Sequence, residues 1–172
     1  MARKNAHNAR ISETTRYRVA IAIVFGLIAC ALNFLDLHLF ETPQFKISIL
    51  VGLILPMTLA LAWGWRYGLL CMLAGGGHAM WWLWRSDGWG VLYAVPVFTA
   101  WIVWHGWWAE RRRMHDYQWR GESVFLVEIP FRVAAAIGFY TVFRWLVTLN
   151  PPPWNPTLAG DSVSTAWVNA VI

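Results

Sequence analysis

A chain of 172 residues that is 58% hydrophobic and 13% charged, with a mean hydropathy of +0.44, is too apolar for an ordinary water-soluble domain, where about 25% of residues are charged. Its formal charge of +5 and pI near 9.7 do not point to nucleic acid, because the basic residues sit in blocks beside apolar segments, where membrane topology accounts for them. Composition therefore predicts a polytopic membrane protein whose first partner is the lipid bilayer.

The chain opens with a basic segment, residues 1–18, carrying Arg3, Lys4, Arg10, Arg16 and Arg18. It resembles the start of a signal peptide, but the apolar stretch behind it is long and has no convincing small-x-small cleavage site, so a retained helix is expected. A membrane helix needs roughly 20 mainly apolar residues. Five stretches qualify by this reading, at about 19–39, 47–63, 67–84, 90–108 and 124–149. The expected fold is all-α: a polytopic membrane helix bundle of five full spans across residues 19–149, followed by an extracytoplasmic segment, 150–172. If the spans alternate, Arg66 and the run Arg111, Arg112, Arg113 and Arg120 fall on the side of the N-terminus, while Lys46, Arg85 and Arg144 fall opposite. That asymmetry places the N-terminus in the cytoplasm of a multi-pass protein of the bacterial inner membrane.

Pro56, Pro96 and Pro130 each remove a backbone donor within an expected span and should bend it. Between the second and third stretches, WGWRYG is short enough to demand an antiparallel hairpin, with Gly64 and Gly68 permitting the reversal. Gly75, Gly76 and Gly77 should let a second backbone approach closely, as small residues do at helix contacts in membranes. Trp63, Trp65, Trp81, Trp82 and Trp84 gather at the two ends of this region, as in an interfacial aromatic belt. Downstream, NPPPWNPTLAGDS is incompatible with a helix and is expected outside, and STAWVNAVI reads as the first turns of a truncated sixth span. The chain is thus expected to be a fragment of a longer protein. Cys30 and Cys71 fall inside apolar stretches and are read as packing residues rather than a disulfide framework.

The run LALAWGWRYGLLCMLAGGG, preceded by FKISILVGLILP, resembles the glycine-bearing hairpin of membrane regions related to vitamin-transporter S components and to LytS-type sensor kinases. The stretch MWWLWRSDGWGVLYAVPVFTAWIVWHGWWAERRR, with VEIPFR, FRWLV and NPPPWNP, more closely resembles the N-terminal membrane region of bacterial PAS-containing sensor histidine kinases. The second resemblance covers most of the chain from Phe34 to Pro156. It implies a sensory region that dimerises and feeds a cytoplasmic output domain; it does not specify a ligand. No phosphoacceptor helix or nucleotide lid is present in the sequence.

Ionisable groups in a bilayer cost roughly 2.5–3.5 kcal/mol each on insertion scales, so each needs a reason. Glu128 and Arg132 stand four residues apart, on one helical face and with the acid first. His105, on a face with Trp101, Trp104 and Trp108, should lie at the depth of Glu128, so His105, Glu128 and Arg132 form an expected intramembrane polar cluster. Its alternatives are a structural ion pair and a site for a proton or an anion. A second hypothesis is a mostly apolar ligand pocket in the outer half of the bundle, with His78 deepest, Trp81, Trp82, Trp101 and Trp104 as walls, and Arg85 and Asp87 at the mouth. Its ligand would be small and apolar or aromatic; ordinary helix packing is the competing reading.

His38, His78 and His105 are expected at different depths, which argues against bis-histidine haem, and no ligand spacing suits a metal. No cofactor is expected. Nucleophile triads, HExxH, P-loop and dinucleotide fingerprints are absent from the sequence, so no catalytic residue is assigned. The reading that follows is a membrane input module that binds a small ligand or senses the bilayer and signals to a cytoplasmic domain. The alternatives are a substrate-binding subunit of a small-solute transporter and a structural membrane anchor.

Overall fold

The computed structural model describes residues 2–35, 37–42, 45–84, 90–114 and 122–146. Among them are six helices and one β-hairpin. Helix α1 (Ala2–Asn33) is followed by strands β1 (Leu37–Thr42) and β2 (Phe45–Ile49) and a 3-10 turn, Val51–Leu53. Helices α2 (Ile54–Trp63) and α3 (Trp65–Cys71) come next, and a π-turn (Met72–Gly76) leads into α4 (His78–Trp84). Two 25-residue helices complete the fold, α5 (Gly90–Met114) and α6 (Glu122–Leu146).

The hairpin of α2 and α3 is the centre of the packing, with α1 on one face and α5 on the other, and α6 lies against α5. Its first face meets α1 through Ala22, Leu59 and Cys71, with Phe25, Trp63 and Leu70 around them. On the other side Ala60 of α2 packs with Met72 of the π-turn, Met80 of α4 and Ile102 of α5, with Phe98 and Trp101 at the margin. Reversal takes place at Gly64, whose φ of 110° is poorly open to other residues. The amide of Gly64 closes α2 by donating to Ala60 O at 3.1 Å.

On α1 the buried positions Ala22, Gly26, Ala29 and Asn33 recur every three or four residues and form one small-residue face. There the backbones nearly touch: a Cβ on Gly26 would stand 2.5 Å from Cys71 O, and one on Gly52 would collide with Ala29 O. The π-turn is what brings this face into reach. Gly77 donates to Met72 O, five residues back, at 3.0 Å, and the widened turn offers Gly76 O to the buried Asn33 Nδ2 at 3.0 Å.

The expectation of five full spans is overturned. Among the described residues one helix, Glu13–Asn33, is long and apolar enough to cross a membrane, with a mean hydropathy of 1.7 over its best window. Helix α2 has 10 residues. At 1.5 Å per residue it reaches about half of a hydrocarbon core of about 30 Å. The expected third span is divided by the π-turn into α3 and α4, of seven residues each. Helices α5 and α6 are long enough, but α5 contains Pro96 and ends in Arg111, Arg112 and Arg113, and α6 carries Glu128, Pro130 and Arg132.

The expected first span also ends early, at Asn33, because Leu37–Thr42 and Phe45–Ile49 pair as antiparallel strands with Leu37 opposite Ile49 and Thr42 opposite Phe45. The strict alternation in FKISI is the sequence signal for the second strand. The expected extracytoplasmic segment 150–172, with its truncated sixth span, lies outside the described residues.

Candidate functional site

Glu128, on α6, joins its helix to α5. One carboxylate oxygen, Oε2, accepts from the Trp101 indole N–H at 2.8 Å and lies 2.6 Å from His105 Nε2. The other, Oε1, accepts from Arg132 Nε one turn further along α6, at 2.5 Å. Trp104, on the same face of α5, donates to Val127 O at 2.9 Å. Two α5 side chains and one α6 side chain thus converge on a single carboxylate, while a third from α5 holds the α6 backbone beside it.

The helical periods explain the convergence. Residues 101, 104, 105 and 108 share a face of α5, and 128 and 132 share a face of α6. Trp101 and His105 meet edge to face with centroids 5.5 Å apart, so the rings brace one another. Arg132 Cζ stands 5.7 Å from the Trp101 ring centre, which places the guanidinium between a carboxylate and an indole face. His105 is buried, with 7% of its surface exposed, whereas the side chains of Glu128 and Arg132 are 25% and 37% exposed. The pair His105–Glu128 attracts only when Nε2 carries a proton, because otherwise two acceptors face each other. Chemically the arrangement can hold a proton on Nε2 between α5 and α6, in the neutral Nε2–H tautomer as well as in the charged ring.

The structure brings His105, Glu128 and Arg132 together, and Trp101 and Trp104 join them. The residues of the outer pocket are not gathered in the same way. His78 is exposed, Trp82 is 56% exposed, and Trp81 is half-buried on α4. Arg85 and Asp87 lie outside the described residues. Among the described residues no group of three or more His, Cys, Asp or Glu side chains converges in a manner that would hold a metal ion.

Two features escaped the sequence reading. Asn33 is 1% exposed and locks α1 to the π-turn, a role that its position one turn beyond Ala29 on the small-residue face could have suggested. A cleft of about 350 Å³ at the basic end of the bundle is walled by Thr15 and Val19 of α1, Trp63 and Tyr67 of the hairpin, and Glu110 of α5. Around that end Arg18 Cζ lies 5.6 Å over the Trp63 ring, Arg66 stacks on Trp65 at 5.5 Å, and Arg113 donates to Ala62 O. No protein-family model, curated protein or solved structure matches the chain.

Proposed function

We propose that the protein is a membrane input module that responds to the bilayer through the contact of α6 with α5 and passes the displacement to a cytoplasmic output domain. The observation that carries the reading is the Glu128 latch. Among the described residues, α5 reaches α6 through Trp101 and His105 on the Glu128 carboxylate and Trp104 on Val127 O, while Leu126, Ile129, Val133 and Ile137 are exposed along the other side of α6. A helix held by directional bonds to one carboxylate has two distinct arrangements, bonded and released, and that is what a relay requires.

Support for the membrane location comes from α1, whose Ile23, Val24, Leu27 and Ile28 are exposed opposite its small-residue face. Further support comes from Arg18, Arg66 and Arg113, which the fold gathers at one end. The proposal places that end in the cytoplasm of a bacterial inner membrane, with α1 crossing and other helices entering beside it in multi-pass fashion. Homodimerisation, expected from the kinase resemblance, belongs to the same proposal.

The test is a distance measurement in lipid nanodiscs, with Cys30 and Cys71 replaced by alanine and spin labels at exposed Met114 on α5 and exposed Ile137 on α6. The wild-type pair is expected to give one narrow distance distribution, and Glu128→Ala a broader and longer one. Identical distributions would overturn the latch.

A further inference from the structure

We propose that the cleft at the basic end binds a phospholipid headgroup carrying both a phosphodiester and a primary ammonium, the chemistry of phosphatidylethanolamine. This rests on the membrane reading above. The cleft volume of about 350 Å³ falls at the small end of the roughly 300–1,000 Å³ range of small-molecule sites.

Its walls change polarity in one direction. Thr15 and Arg66 stand toward the basic end, and Val19 and Leu70, each four residues further along α1 and α3, line the same cleft about one helical turn deeper. Trp63, at the reversal, and Tyr67, one residue beyond Arg66, line the same cleft edge to face with centroids 5.8 Å apart, amphipathic rings of the kind that settle at headgroup depth. A polar rim, an aromatic collar and an apolar floor fit an amphiphile that enters with its head at the rim and its glycerol and chain ends below.

The charges narrow the head. Arg66 lines the cleft and supplies a guanidinium, with Arg18 placed over the Trp63 ring beside it. Basic pockets between membrane helices on the cytoplasmic side are suited to phosphate. The Glu110 carboxylate lines the same cleft, seated against Gly64, where an added Cβ would stand 3.0 Å from Oε2. A purely anionic headgroup satisfies Arg66 but faces Glu110 without a partner. A headgroup with an ammonium satisfies both, and a primary ammonium can donate hydrogen bonds to Glu110, as a quaternary one cannot.

The experiment uses the delipidated full chain in mild detergent, offered equal amounts of dioleoyl phosphatidylethanolamine, phosphatidylcholine and phosphatidylglycerol and read by native mass spectrometry. The wild-type chain is expected to retain the ethanolamine lipid preferentially. Glu110→Gln should lose that preference while still retaining the glycerol lipid, Arg66→Gln should lose retention of both, and Arg66→Lys should recover it. Equal retention of the three lipids by the wild-type chain, or an unchanged preference in Glu110→Gln, would overturn the site. Displacement of the lipid by soluble glycerophosphoethanolamine at the same concentration would overturn the lipid assignment in favour of a soluble solute. Fractionation of cells keeps the two proposals apart: a wild-type chain recovered as soluble protein contradicts the membrane reading, whereas lost selectivity in a chain that still sediments with membranes contradicts the lipid site alone.

Discussion

Gly26→Val is expected to cause one of the largest losses of stability of any single change, because the added side chain would run into the backbone of α3. The first atom of the new side chain would stand 2.5 Å from Cys71 O and 2.8 Å from the Ala74 Cβ, and the former is backbone that cannot move without displacing the π-turn. Separating α1 from the hairpin would also pull Asn33 from Gly76 O, leaving buried polar groups unpaired. Overpacking of this kind costs about 1–3 kcal/mol and occasionally more, and a valine clashing with backbone belongs at the upper end. Gly77→Ala is the matched control, since its nearest neighbour would be the flexible Met72 Cε at 3.4 Å, an ordinary contact. Thermal melting in detergent should show a large fall for Gly26→Val and little change for Gly77→Ala. Equal falls would mean that the glycines matter through backbone conformation and that the close approach of α1 is incorrect.

Glu128→Ala should be the next most damaging change. It removes the acceptor of Trp101, His105 and Arg132 together. Hydrogen bonds to a charged group contribute about 1.5–3 kcal/mol, and the partial exposure of Glu128 and Arg132 keeps the expected loss within that range rather than at the sum of three bonds. Arg132→Ala breaks one of the same contacts, so the double mutant should lose less than the two single losses added together. Strictly additive losses in melting experiments would show that the carboxylate and guanidinium do not act as a unit. His105→Ala should weaken the α5–α6 contact without unfolding the hairpin, because His105 faces α6 while the hairpin cores are built on Ile102 and Cys71.

Much of the polar latch was legible because it obeys helical arithmetic. Glu128 and Arg132 are four apart, and counting residues placed His105 at the same depth, which is where the imidazole meets the carboxylate. The reversal at WGWRYG was legible in part: Gly64 takes the positive φ that so short a link requires, whereas Gly68, expected to share in the reversal, lies within α3 against Ala60.

What the sequence hid was continuity. Residues 67–84 read as one apolar helix, but the glycines that allow close packing also admit a π-turn, and the segment becomes two short helices. Apolar content could not separate the end of α1 from the hairpin at 37–49, because a β-strand and a helix are equally rich in leucine and isoleucine there. Alternation over FKISI was the better signal, and the long apolar run behind it concealed it. The outer pocket asked Trp101 and Trp104 to serve a second cavity although their spacing already put them on the His105 face of α5. Trp101 and Trp104 turn toward α6, while His78 and Trp82 are exposed.

In the proposed arrangement the outward faces of α1 and α6 meet lipid while the arginine-rich end meets water. Single cysteines at Leu27, Val133 and Ile137, and at Arg66 and Met114, placed in a chain with Cys30 and Cys71 replaced by alanine, should be reacted in nanodiscs with a water-soluble maleimide. All five positions are exposed in the folded chain, so burial within the protein does not distinguish them. Fast labelling is expected at Arg66 and Met114, and labelling at Leu27, Val133 and Ile137 only after the bilayer is dissolved. Equally fast labelling at all five positions in the intact nanodisc would contradict that arrangement.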